Sequence, residues 1–134
     1  MKLPLGRQHL KDAFNRHRAL GTTLPHSPSD SHLLLLIYAV ECGLKEMLLG
    51  RRGLHSTEKL AEDDLTHDLD FLLKILGARE RFGFSRLTSP PTALVSSGNV
   101  HQALRYGARM EVNCRRDLEK HAKAVIAWIE ENAT

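Results

Sequence analysis

Residues 31–77, SHLLLLIYAVECGLKEMLLGRRGLHSTEKLAEDDLTHDLDFLLKILG, constrain the fold more than any other stretch of this chain. Leu33, Leu36, Ile37, Val40, Leu44, Met47 and Leu48 recur at intervals of three and four. That spacing puts a broad buried stripe on one long helix running to about Leu49. Ser29 and Asp30 stand where its N-cap is expected. Gly50-Arg51-Arg52-Gly53 ends it, with cations where the negative end of the helix dipole favours them. A charged connection follows. Thr66 is then expected to cap a short helix, with Asp68 in its first turn and Leu69, Leu72, Leu73 and Leu76 inward, ending before Gly77.

The flanking sequence adds further helices and no clear strand. Residues 6–20 predict a first helix with Leu10 and Phe14 inward, stopped near Gly21 and followed by a linker holding Pro25 and Pro28. Residues 83–98, with Pro90, Pro91 and four serines, read as a long loop. The last helical pattern spans residues 99–131 and contains Gly107, which weakens a helix interior by about 1 kcal/mol relative to Ala and marks a candidate break. The expected architecture is all-α, a four- to five-helix bundle, as one domain over residues 1–134.

Composition excludes several classes. The two cysteines, Cys42 and Cys114, form no short-range pair, so neither a zinc ribbon nor a disulfide framework is expected and a reducing compartment is. The opening MKLPLGRQHL lacks the apolar run of a signal peptide, and the longest apolar run covers only residues 33–37. A soluble, cytoplasmic protein with no membrane partner is therefore expected. Aromatic residues make up 5% of the chain, too few for stacking exposed bases. A net charge of +3 permits an anionic partner without requiring one.

The last helical segment has two sides. At about 100° per residue, Cys114, Leu118, Ala122, Val125 and Ile129 share one face, flanked by His121 and Trp128. If the helix is continuous, Arg105, Arg109, Arg116, Lys120 and Lys123 gather on the other. Such a stripe is either the solvated outside of a bundle or a surface that follows a phosphate backbone. Glu119 and Glu130 dilute its charge.

Three groups of residues together resemble the HEPN superfamily: Tyr38-Ala39-Val40-Glu41-Cys42-Gly43-Leu44-Lys45, then His67-Asp68-Leu69 with Leu72-Leu73, then Leu104-Arg105-Tyr106. The resemblance covers residues 31–131 and implies a small helical bundle. It also implies one of two functions. Many members are metal-independent endoribonucleases of toxin–antitoxin and phage-defence systems, working as homodimers with an Arg-x(4–6)-His motif in a shared cleft. Others lack the motif and bind a partner protein, nucleotide or RNA, an antitoxin or nucleotidyltransferase among the partners.

Arg116-Asp117-Leu118-Glu119-Lys120-His121 matches the Arg-x4-His spacing, making Arg116 and His121 the catalytic candidates. A His can shuttle the proton of a 2′-hydroxyl while an Arg holds the phosphate and its developing charge. On one continuous helix these two point about 140° apart, so a dimer would have to bring them together. Arg105, Arg109, Lys120 and Lys123 are the RNA-binding candidates. The resemblance makes Glu41, Lys45 and Tyr106 candidates to line a cleft, although Glu41 and Lys45 also form a helix-stabilising i,i+4 pair. Asp63, Asp64, His67, Asp68 and Asp70 are dense but lack any metal-ligand spacing, so no metal is expected. With no P-loop, no G-x-G-x-x-G after a strand and no G-x-S-x-G, no cofactor is expected either.

Overall fold

The computed structural model describes residues 6–22, 30–54, 68–88, 94–105 and 109–132. Its elements are α1 (Arg7–Thr22), α2 (Asp30–Arg51), α3 (Leu69–Ile75), β1 (Ser85–Arg86), β2 (Leu94–Val95), α4 (Val100–Arg105) and α5 (Val112–Asn132). The chain is thus mostly helical, with one small sheet. Among the described residues no helix is long and apolar enough to cross a membrane.

The long helix α2 packs against each of the other four and is the axis of the core. Every residue of its expected stripe is buried, and so are Ala39, Lys45, Glu46 and Leu49 around the rest of its circumference. Periodicity predicts one wet side, but neighbours on several sides leave almost none. At Gly43 the packing is closest. A Cβ there would lie 2.8 Å from both the Phe14 ring on α1 and Ile129 Cδ1 on α5, so the absent side chain lets three helices meet.

Short-range chemistry sets the ends of α2 and α3. Gly53 and Gly77 both adopt positive φ, at 65° and 77°. After α3 the Ala78 amide donates to Leu73 O at 3.0 Å and the Gly77 amide to Lys74 O at 3.1 Å; after α2, Leu54 and Gly53 repeat the pattern onto Leu49 and Gly50. These are paired Schellman-type closures, which a Cβ at the left-handed position would strain. The Arg51 guanidinium then donates to Leu76 O at 2.6 Å, tying the two helix ends together.

The start of α3 differs from expectation. Asp68, not Thr66, is its N-cap: its backbone is extended (φ −77°, ψ 100°) and its carboxylate accepts the Phe71 amide at 3.3 Å. Asp68 sits there because Ser97 Oγ also donates to it, at 2.6 Å, fixing the carboxylate over the helix mouth. Thr66 and His67 lie outside the described residues, as do Asp63 and Asp64. Asp70 accepts the amides of Phe82 (2.6 Å) and Gly83 (3.0 Å), so both aspartates bind the following segment to α3.

The expected loop over residues 83–98 contains two strands. β1 and β2 are antiparallel, with Ser85 opposite Val95 and Arg86 opposite Leu94. On the other side of β1, Leu87 bridges Met110, flanked by Thr88 N–H to Arg109 O (2.8 Å) and Glu111 N–H to Arg86 O (2.9 Å). This third pairing splits the last helical pattern into α4 and α5, because backbone committed to a ladder at 109–111 cannot also be helical. Gly107 lies outside the described residues. On α5, Leu118, Ala122, Val125, Ile126 and Ile129 are buried, and Cys114, His121 and Trp128 are half-buried beside them.

Candidate functional site

The polar side chains singled out by sequence fall into two separate groups. The first rides on α2. Glu41 and Lys45 pair at 3.0 Å with side chains only 13% and 10% exposed, so the i,i+4 contact is largely withdrawn from water. One turn earlier, Tyr38 receives a hydrogen bond from the Arg105 guanidinium at the end of α4, whose Cζ also lies 6.0 Å from the Tyr38 ring centroid. The His17 ring of α1 tilts against the other side of Tyr38, centroids 6.0 Å apart. Three helices therefore contribute to this cluster. Tyr106 lies outside the described residues.

Two groups of this region, Cys42 and His17, are shifted toward their neutral forms. Burial pushes the Cys42 thiol up to about 11, helped by Glu41 and opposed by Lys45 and Arg16. It is protonated at neutral pH and a poor nucleophile. His17 is shifted the other way: burial, with the nearby Arg16 charge, lowers its pKa from the ordinary 6.5. A histidine held neutral in the fold lets the unfolded chain bind the proton first. Its contribution to stability is complete above pH 6.5 and is lost as pH falls below it. We expect the denaturation midpoint to decline from pH 7.5 to pH 5, and His17→Gln to flatten that decline; an unchanged slope in the variant would remove His17 as its source.

The second group lies on α5. Arg116 is exposed, whereas His121 is half-buried with its ring edge-on to Phe82, centroids 6.3 Å apart. The five-residue offset turns them about 140° from each other and separates them by about 7.5 Å along the axis. One subunit does not bring them to a common phosphate. Lys120 is exposed one turn beyond Arg116, and Lys123 pairs with Glu119 at 2.7 Å. The expected stripe of five cations is therefore shortened. Arg105 belongs to α4 and the Tyr38 cluster, Arg109 is exposed on the strand-like segment before α5, and Arg116, Lys120 and Lys123 share the helix.

Among the described residues no group of three or more His, Cys, Asp or Glu side chains is placed to hold a metal ion. Asp68 and Asp70 spend their oxygens on Ser97 and on backbone amides instead.

Sequence reasoning missed an ion pair whose acidic end is buried. Arg7 Nε lies 2.5 Å from Glu46 Oε1, joining the first turn of α1 to the last two turns of α2. The signal was present: Glu46 is followed by Met47, Leu48 and Leu49, where a carboxylate on an enclosed helix needs a cationic partner. No protein-family model, curated protein or solved structure matches this chain.

Proposed function

We propose that this chain is a HEPN-like helical module that binds RNA without cleaving it. The divergence of Arg116 and His121 carries this reading: the phosphate-holding and proton-moving groups of the expected motif face different directions, and His121 is packed against Phe82. Binding asks less of geometry. Arg116 and Lys120 are exposed i,i+4 neighbours on α5, and Arg109 is exposed just ahead of them. Cations so placed meet successive phosphates and release condensed counterions.

A second reading is favoured by one observation: His121 keeps part of its surface exposed. A homodimer that seats Arg116 of one copy beside His121 of the other would restore the pair and make a metal-independent endoribonuclease.

Labelled single-stranded RNA in EDTA separates the two. We expect retention of intact RNA, with affinity falling as salt rises, and an Arg116→Ala/Lys120→Ala double variant whose log–log salt slope is smaller by about 1.4. Cleavage abolished by His121→Ala and by Arg116→Ala alike would replace the binding reading with the enzyme. RNA that is neither held nor cut by a folded protein would overturn both.

A further inference from the structure

A groove runs between α1 and α5 above Gly43, and none of the Tyr38 cluster lines it. The floor is apolar: Phe14, Ile129 and the bare backbone of Gly43, where even a methyl group would collide with both side chains. Its volume is about 190 Å³. A dry protein cavity of about 150 Å³ accommodates a benzene ring, so one ring with a small substituent fits this space.

The rim sets the charge of the occupant. Arg18 closes one end, paired with Glu130 across the groove and with its Cζ 5.5 Å from the Phe14 ring centroid. Glu46 is held by Arg7. Both carboxylates at the groove are thus matched by an arginine. Lys11 has no such match: among the described residues its ammonium has no partner. Asn15 accepts from Arg18 Nε at 3.3 Å through its oxygen, leaving its amide N–H groups to donate elsewhere. Arg7, Arg18 and Lys11 against Glu46 and Glu130 leave one positive charge, with the donors of Lys11 and Asn15 one turn apart on the same bank.

We propose that this groove is a binding site for a small monoanion with a flat apolar body, an aromatic carboxylate being the fitting class. Its ring lies on Phe14, Gly43 and Ile129, and its carboxylate accepts from Lys11 Nζ and the Asn15 amide. The site is independent of the RNA-binding face, so either stands or falls alone.

Benzoate, titrated into 15N- and methyl-labelled full-length protein, is the test, with benzyl alcohol and benzylamine as neutral and cationic controls. Benzoate is expected to bind saturably with a Kd of about 1 mM, the affinity of a fragment-sized ligand, shifting the Ile129 methyl and the Gly43 amide. Lys11→Met keeps the aliphatic stem but not the charge, and should weaken benzoate about tenfold while leaving benzyl alcohol and the melting temperature unchanged. Asn15→Asp, which places a carboxylate on the same bank, should weaken benzoate as well. Equal binding of the three probes, indifference to Lys11→Met, or shifts confined to residues outside the groove would overturn the proposal, as would the absence of saturable shifts.

Discussion

Replacing Leu44 with Ala is expected to cost about 2–5 kcal/mol of unfolding free energy, a large share of the roughly 5–15 kcal/mol that holds a domain of this size together. Leu44 is fully buried on α2, the helix that every other helix touches. Truncation removes transfer free energy and also leaves a cavity. Partial collapse is the only relief, and it is limited where α1, α4 and α5 all lean on one element. Leu94 offers the contrast: it is 58% exposed on β2, and Leu94→Ala should stay within about 0.5 kcal/mol. Urea denaturation measures both, with the Leu44→Ala midpoint moving at unchanged slope. A cost for Leu44→Ala no larger than that for Leu94→Ala would mean that α2 is not the axis of the core.

The same residues show what the sequence makes legible. Leu33 to Leu48 on α2 and Leu118 to Ile129 on α5 repeat with helical period, and each inward residue they name is buried. Local polar chemistry is equally readable where partners are close in sequence, as for Glu41 with Lys45 and the glycine after each of α2 and α3. Strands of two residues carry no alternation to read, so Ser85–Arg86 and Leu94–Val95 are invisible until their pairing is seen. Met110 looks like one more apolar residue of a long helix, yet its backbone is claimed by Leu87 across the ladder.

The candidate sites divide along the same line. Spacing along α5 identifies Arg116 and Lys120 as neighbours and Arg116 and His121 as divergent, since one helix fixes both angles. Contacts between elements follow from tertiary packing alone. Tyr38 and Arg105 are 67 residues apart, and Arg18 and Glu130 are 112 apart. The groove above Gly43 exists only because a glycine of α2 falls where α1 and α5 converge. A glycine in a helix interior signals a close approach, but not which partners make it.

Removing Arg7 should destabilise the fold far more than removing Glu46, although they form one ion pair. The Glu46 side chain is 6% exposed while that of Arg7 is 35% exposed, so the pair is buried at its acidic end and wet at its basic end. Arg7→Met abandons a carboxylate in the core, and breaking a pair this way costs about 3 kcal/mol. Glu46→Leu removes the buried charge itself and returns Arg7 to solvent at its exposed end. Replacing a buried polar group by an apolar one of similar volume lies near neutrality, and Leu suits neighbours that include Phe14 and Ile129. In Glu46→Leu, a further Arg7→Met change should then cost under about 1 kcal/mol, because the charge it would orphan is gone. Gly50 supplies an independent handle: a Cβ there would meet the Arg7 guanidinium at 2.7 Å and push it off Glu46. Gly50→Ala should therefore lose stability in the parent and little in Glu46→Leu. Denaturation midpoints of the parent, the two single variants and the double variant at Arg7 and Glu46, with Gly50→Ala in the parent and in Glu46→Leu, decide the matter. Equal costs for Arg7→Met with and without Glu46 would locate the role of Arg7 in its aliphatic packing on α2 and not in its charge.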